Sequence, residues 1–215
     1  MASSSSKTIL LTGYEPWDDF EFNPSGKIAA ALNGKVITND YIIRGEVMPV
    51  DCRKMPGILT GLIEKYQPQV VVGLGLAFGD SGMRVERIGH NRINITKADN
   101  GGNVVLDEPA VTSANAAYFS TFPANEIVTT LLRNGIPAYP SDHAGGHCCN
   151  LMLFTALHYL SYSESSIPCG FLHLPGTPQM AAQIALRDKS PKVYPSMSLE
   201  LMQQAVELSL LQIVG

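Results

Sequence analysis

An uninterrupted apolar run, QVVVGL at residues 69–74, constrains the fold more than any other feature of the chain. A strand of this length without polar alternation is typical of a sheet that is buried on both faces. Because crossover helices connect parallel strands, such a sheet is mostly parallel. Further strand-like or extended stretches occur at residues 8–13, 36–50, 83–95, 137–140 and 170–174.

Helical patterns alternate with these strands at residues 27–32, 55–66, 125–133, 149–162 and 196–213. The alternation predicts the α/β fold class, with a three-layer α/β/α sandwich around a mixed, mainly parallel sheet. No linker or internal repeat divides the 215 residues, so we expect a single domain over residues 7–215. The serine-rich residues 1–6 are expected to form a disordered N-terminal segment.

Two segments have the character of loops around a site. Residues 97–123 are polar and rich in glycine and asparagine, and they exceed the length of an ordinary connection, which predicts a functional loop or a cap. The turn GLGLAFG at residues 73–79 follows a predicted strand but lacks the glycine spacing of a dinucleotide site. We expect this turn to line a cavity.

Charge and hydropathy exclude several classes of partner. Fifteen Lys and Arg residues stand against 19 Asp and Glu residues, and the cations are scattered, so we expect no nucleic-acid partner. No apolar run approaches the roughly 18 residues of a membrane helix, and no secretion signal is recognisable, so we expect no membrane association and a cytoplasmic location. The charged fraction is only 16%, which leaves apolar surface to cover and predicts a homo-oligomer.

Two adjacent cysteines open a predicted helix in the segment AGGHCCN, residues 144–150. The free N–H groups and the positive dipole end of a helix stabilise a thiolate, so Cys148 or Cys149 is a candidate nucleophile. The alternative is a buried cysteine that only packs in the core. With Cys52 and Cys169 the chain has four cysteines, which we expect to be free thiols.

A histidine and a glutamate complete the groups that nucleophilic catalysis requires. His173 lies inside an apolar strand that ends at Pro-Gly, and Glu86 shares an extended stretch with two arginines. Taken singly, His173 fits a core histidine and Glu86 a surface ion pair. Together with a cysteine they supply a thiol, a base for its proton and a carboxylate to orient that base. No metal-ligand spacing and no nucleotide motif occurs, so we expect no metal and no cofactor.

At this point the chain resembles the type I pyroglutamyl peptidase (pyrrolidone-carboxylate peptidase) family of cysteine peptidases. The similar blocks occur in family order over nearly the whole chain: TGYEPW at 12–17, NPS at 23–25, VER at 85–87, DN at 99–100 with Gly102, AYFSTFP at 117–123, AGGHCCN at 144–150 and GFLHLP at 170–175. The resemblance implies that Cys149, not Cys148, is the nucleophile, with His173 as base and Glu86 as its orienting carboxylate. It also implies the absence of a metal and a cofactor, assembly into dimers or tetramers, and N-terminally pyroglutamylated peptides as substrates.

A pyroglutamyl group is a flat, uncharged lactam, so its pocket needs apolar or aromatic walls and a few polar partners. Tyr14 and Trp17, which follow the first predicted strand, are candidates for those walls. Val50 falls at a pocket position of the family, and His147 and Cys148 directly precede the nucleophile. These five residues and Leu76, described next, are the predicted substrate-binding residues.

The chain departs from the family pattern at several of these positions. Leu76 stands where bacterial members carry Gln beside the lactam ring, and His147 and Cys148 replace an aromatic residue and Val. Thr96 and Lys97 stand where bacterial members carry an Arg and an apolar residue. Two alternatives therefore remain: a lactam-binding protein without catalysis, and an amidase for another small acyl group.

Overall fold

The computed structural model describes residues 7–38, 40–162, 167–189 and 193–215. The expected disorder of residues 1–6 lies outside the described residues. The strands are, in chain order, β1 (Lys7–Tyr14), β2 (Val36–Ile37), β3 (Tyr41–Met48), β4 (Val70–Leu76), β5 (Met83–Glu86), β6 (Ile88–His90), β7 (Ile93–Ile95), β8 (Val105–Glu108), β9 (Ala117–Phe119), β10 (Ala138–Ser141) and β11 (Cys169–Leu174). The helices are α1 (Pro24–Leu32), α2 (Met55–Tyr66), α3 (Ala124–Arg133), α4 (Cys148–Leu160), α5 (Pro178–Asp188) and α6 (Leu199–Val214).

Seven strands form the central sheet, in the order β10-β5-β11-β4-β1-β3-β2. The pairs β10–β5, β11–β4, β4–β1 and β1–β3 are parallel, whereas β11–β5 and β2–β3 are antiparallel. The predicted mixed, mainly parallel sheet is therefore confirmed. The apolar run that predicted it forms β4, which lies near the middle of the sheet.

Helices cover both faces of this sheet. Val70, Val72 and Leu74 of β4 pack in a core with α1, α3 and α6, and Val71 packs in a second core with α2 and α4. The alternation follows from the period of two in a strand, which sends successive side chains to opposite faces. The three-layer sandwich in a single domain is confirmed.

The start of α1 packs closely against the end of β1. The side chain of Asn23 accepts a hydrogen bond from the Ser25 backbone N–H at 3.1 Å and thereby caps the helix, with Pro24 in its first turn. A Cβ atom on Gly13 would lie 2.1 Å from the Ser25 carbonyl oxygen, so only glycine permits this approach. The loop that connects β1 to α1 is thus fixed over the carboxyl end of the sheet, and it carries Trp17, close to Tyr14 at the end of β1.

The structure differs from the sequence-based expectation in three segments. The stretch predicted as one extended segment, residues 36–50, is the antiparallel pair β2–β3. The polar region 97–123 contains β8 and β9, which pair with β7 and β6 as two small antiparallel ribbons. Helix α5 was not predicted, although Thr177 caps it and Pro178 begins it, a typical start signal.

No helix among the described residues is long and apolar enough to cross a membrane.

Candidate active site

The predicted catalytic residues meet where the neighbouring strands β5, β11 and β4 lie side by side in the sheet. In the pairing of β11 with β5, Phe171 lies opposite Glu86 and His173 lies opposite Arg84. Glu86 and His173 are therefore diagonal neighbours on the same face of the sheet. On its other side, His173 is paired with Gly75 of β4.

Glu86 and His173 form a buried hydrogen-bonded pair. His173 Nδ1 lies 2.7 Å from Glu86 Oε1, and the two residues are 4% and 0% exposed. Burial alone raises the pKa of Glu86. The hydrogen bond and charge of His173 have the opposite effect, and Ser141 and Arg84 add to it. The net result is a pKa of Glu86 below its usual value. The carboxylate is therefore ionised at neutral pH.

Cys149 approaches the imidazole from helix α4. Burial alone lowers the pKa of His173, but the charge and hydrogen bond of Cys149, together with those of Glu86, raise the pKa to about 9. A Cβ atom on Gly75 would lie 2.8 Å from Cys149 Sγ and 2.7 Å from Phe171 Cζ. The missing side chain at Gly75 thus gives the thiol its place above β4, beside His173.

The start of α4 is fixed by Asn150 and leaves its first amides free. The fully buried Asn150 accepts a hydrogen bond from the His90 N–H at 2.9 Å and donates to the carbonyls of His90 and Arg92, each at 2.9 Å. His147 occupies the N-cap position without a side-chain cap bond. The N–H groups of the first helical turn, which includes Cys149, are thereby available to an anionic group.

The four cysteines, which are free thiols as predicted, differ in their access to solvent. Cys149 is partly exposed, whereas Cys52, Cys148 and Cys169 are buried. Burial, reinforced by Asp99, raises the pKa of Cys52 to about 11, and burial raises the pKa of Cys169 to about 12. Burial, followed by the charge of Cys149, also raises the pKa of Cys148. Three of the four thiols therefore stay protonated at neutral pH.

A cavity of about 400 Å³ opens beside Cys149. Its lining includes all six predicted substrate-binding residues, namely Tyr14, Trp17, Val50, Leu76, His147 and Cys148. The Tyr14 hydroxyl donates a hydrogen bond to the Cys148 carbonyl at 2.8 Å, and the rings of Trp17 and His147 are 4.7 Å apart. The structure thus brings these residues together around the thiol, and glycine-rich residues 73–79 contribute Leu76 and Phe78 to the lining, as expected.

A buried hydrogen-bond network around Asp99 lies next to Trp17, which lines the cavity. Asp99 accepts hydrogen bonds from the backbone N–H groups of Cys52 at 2.7 Å and Asn103 at 2.8 Å. Although burial raises the pKa of Asp99, these hydrogen bonds outweigh it and lower the pKa to about 2. Next to Asp99, the carbonyl of Ala98 accepts a hydrogen bond from Trp17 Nε1 at 3.1 Å. The network therefore fixes the loop that holds Trp17.

Of the two unusual residues Thr96 and Lys97, the second reaches the mouth of the cavity. Lys97 Nζ is hydrogen-bonded to Asp18, a residue that lines the cavity, and lies 5.9 Å from the centre of the Trp17 ring. Thr96 is exposed.

Sequence reasoning missed a second group of lining residues, namely Phe20, Phe22, Ile184, Arg187 and Tyr194. They come from loops without periodic pattern and from α5, which was itself missed. The only sequence signal was the start of α5 at Thr177-Pro178. Among the described residues, no cluster of three or more His, Cys, Asp or Glu side chains has the arrangement to hold a metal ion.

Comparison with known proteins shows that this chain is similar to one family over nearly its whole length. The family model described as pyroglutamyl peptidase matches residues 7–214. The pyrrolidone-carboxylate peptidase of Pyrococcus furiosus is 36% identical over 203 residues, which are 94% of this chain and 97% of the relative. That of Halalkalibacterium halodurans is 37% identical over 93% of this chain and 96% of the relative.

The fold of this chain is also similar to that of a solved structure. A solved structure of a mutant pyrrolidone carboxyl peptidase from P. furiosus superimposes with a TM-score of 0.91 at 34% identity, covering 96% of this chain and 98% of the other. Fold and relatives define the class of the protein, a peptidase built on an α/β sandwich. Within that class, the chain belongs to the pyroglutamyl peptidase family, as its motifs predicted.

Proposed function

We propose that this protein removes an N-terminal pyroglutamyl residue from peptides through a Cys149, His173 and Glu86 triad and a thioacyl-enzyme intermediate. Membership of the family supports the removal of pyroglutamate. The observation that carries the triad is the continuous contact from Glu86 through His173 to Cys149, with the thiol facing the cavity. No metal or cofactor takes part in this scheme.

In the first step, the proton of Cys149 already lies on His173, whose pKa is about 9, and the Cys149 thiolate attacks the carbonyl carbon that joins pyroglutamate to the next residue. The amides at the start of α4 stabilise the resulting oxyanion, and each good donor contributes roughly 3 kcal/mol in comparable sites. The C–N bond then breaks, and the imidazolium gives its proton to the departing amine. Glu86 is ionised and buried, so it holds the ring in place and stabilises the imidazolium.

In the second step, His173 takes a proton from water, and the hydroxide attacks the thioester carbonyl. The C–S bond breaks, pyroglutamate leaves, and the Cys149 thiolate and the His173 imidazolium are restored. The same imidazole thus serves as acid in the first half of the reaction and as base in the second.

Recognition of the lactam is proposed to rest on flat walls and one polar atom. Tyr14 and Trp17 supply aromatic surface, and Val50 and Leu76 supply apolar surface, which suits an uncharged ring. His147 Nε2 is buried without a hydrogen-bond partner among the described residues. Burial lowers the pKa of His147, so its ring is neutral at pH 7. We assign His147, whose ring lines the cavity, as the hydrogen-bond donor to the lactam carbonyl once the ring turns Nε2–H toward the cavity.

Selective alkylation tests the nucleophile. With iodoacetamide at pH 7, peptide mapping over time is expected to find Cys149 modified first, with cleavage of a pyroglutamyl amide lost in step. The buried Cys52 and Cys169 serve as internal controls that remain unmodified in the folded protein. Full activity in a protein whose Cys149 is alkylated overturns the proposal, and so does a loss of activity that follows Cys148 instead.

A further inference from the structure

The cavity beside Cys149 has two halves that belong to different parts of the fold. Tyr14, Val50 and Cys148 are members of the core formed with α2 and α4, and Trp17 packs against that core. Phe20, Phe78, Ile184 and Tyr194 line the other half and belong to neither of the two cores. A single lactam ring is too small to fill about 400 Å³, so one half remains for another part of the peptide.

Three aromatic rings form a continuous wall in this second half. The rings of Phe20 and Phe78 are 5.1 Å apart, and those of Phe78 and Tyr194 are 4.9 Å apart. These are distances of favourable aromatic pairs, so the wall is preformed. Gly79, at φ +93, turns the chain directly after Phe78, and a Cβ atom there would lie 3.6 Å from the Tyr194 ring.

The wall stands on the side of the departing amine. A Cβ atom on Gly176 would lie 2.6 Å from Phe78 Cδ2, so the Phe78 ring rests on the backbone just beyond β11. His173, three residues earlier, gives its proton to the departing amine in the proposed mechanism. The residue that carries this amine therefore lies toward β11, beside Phe78, rather than toward Tyr14 and Val50.

Charges at the rim of this half are paired with one another. Arg187 Nη1 lies 2.6 Å from Asp19 and its Nε lies 2.8 Å from Asp188. Lys97 is paired with Asp18. Because the nearest charges among the described residues neutralise one another in this way, the aromatic wall offers apolar surface to a substrate.

We infer that Phe20, Phe78 and Tyr194, with Ile184, form the subsite for the residue after pyroglutamate, and that this subsite selects a large apolar side chain. The inference rests on the proposed function. Its ligand class is a peptide that begins with pyroglutamate followed by a residue such as Phe or Leu.

The test compares kcat/KM for pyroglutamyl-phenylalanine amide, pyroglutamyl-leucine amide, pyroglutamyl-asparagine amide and pyroglutamyl-glycine amide. The wild-type protein is expected to prefer Phe over Gly, and Leu over the similarly sized Asn, by about tenfold or more. Phe78→Ala and Tyr194→Ala are each expected to reduce the Phe-to-Gly ratio to within about threefold of unity. Leu186→Ala, on the same helix as Ile184 but 81% exposed, is the control and keeps the wild-type ratio.

Each outcome decides a separate question. A wild-type protein that cleaves all four amides equally overturns the subsite and leaves the proposed function intact. Variants that slow all four substrates by the same factor also overturn it. Because Tyr194 is exposed, its variant retains the fold and decides the matter if Phe78→Ala does not fold. Cleavage of none of the four by the wild-type protein refutes the proposed function, and the subsite with it.

Discussion

His173 Nδ1 and Glu86 Oε1 lie 2.7 Å apart on adjacent antiparallel strands, and both side chains are closed off from solvent. A buried carboxylate is costly unless a hydrogen-bonded positive charge accompanies it, and an imidazolium answers that need. The pair therefore favours the charged form of His173, and with it proton transfer from the neighbouring Cys149.

Glu86→Gln tests the electrostatic part of this relationship. The amide keeps the shape of the side chain but loses its charge, so we expect kcat to fall by about 10²- to 10⁴-fold, as when comparable triads lose their carboxylate. The pKa of His173 falls as well, and any alkaline limit of kcat/KM that reports His173 moves to lower pH. The exposed Glu200→Gln is the matched control. An unchanged pH profile in Glu86→Gln contradicts the assignment.

Stability is expected to depend on pH through His173. Its pKa is about 9 in the folded protein and about 6.5 in the unfolded chain, so the folded state binds the proton more tightly. This contribution is fully present below about pH 6.5 and is lost as the pH rises through about 9. Urea unfolding from pH 6 to 10 measures it as a fall in the free energy of unfolding. His173→Gln is predicted to have a shallower slope than wild type, and equal slopes count against the raised pKa.

His147→Phe probes recognition of the lactam, because it removes the unpartnered Nε2 while keeping a ring beside Trp17. We expect the preference for a pyroglutamyl over a prolyl amide to fall by about tenfold or more, since a lost polar partner costs discrimination. The quantity to measure is the ratio of kcat/KM for the two amides. His158→Phe, at the opposite end of α4, is the control. A ratio that stays at the wild-type value removes His147 from the lactam contacts.

Gly75→Ala is expected to displace the nucleophile. The added methyl group would lie 2.8 Å from Cys149 Sγ and 2.7 Å from Phe171 Cζ, closer than real contacts allow. Overpacking of this kind costs about 1–3 kcal/mol of stability, and the shift of the thiol should lower kcat more than it raises KM. Gly61→Ala, where nothing lies within 4 Å of the new methyl group, should change neither kcat nor KM. If Gly75→Ala keeps the wild-type kcat, the Cys149 thiol does not lie against Gly75 as the structure shows.

The sequence predicts most of the architecture because its strands are apolar runs with turn residues at their ends. The apolar run at residues 69–74 predicts a strand that is buried on both faces of the sheet, and the structure confirms this strand as β4. Helix α5 escaped prediction because its buried apolar stripe is short and consists of Met180, Ala181 and Ile184. The sequence predicts one extended segment over residues 36–50 because the turn between β2 and β3 interrupts the extended pattern only briefly.

For the site, sequence and structure contribute different information. The motifs placed Glu86, Cys149 and His173 on separate segments, and only the register of β5, β11 and β4 brings them to one point. The aromatic wall was not predictable, because Phe20, Phe78 and Tyr194 meet through loops whose course no local pattern encodes. The assigned roles of all these residues remain predictions.

The most direct test of the central claim is the hydrolysis of a fluorogenic pyroglutamyl amide beside the matched prolyl amide, under reducing conditions. We predict that the wild-type protein cleaves only the pyroglutamyl amide and that Cys149→Ala abolishes this cleavage, whereas Cys148→Ser reduces it less than about tenfold. Undiminished cleavage by a folded Cys149→Ala protein contradicts the account, as does a folded wild-type protein that cleaves neither amide.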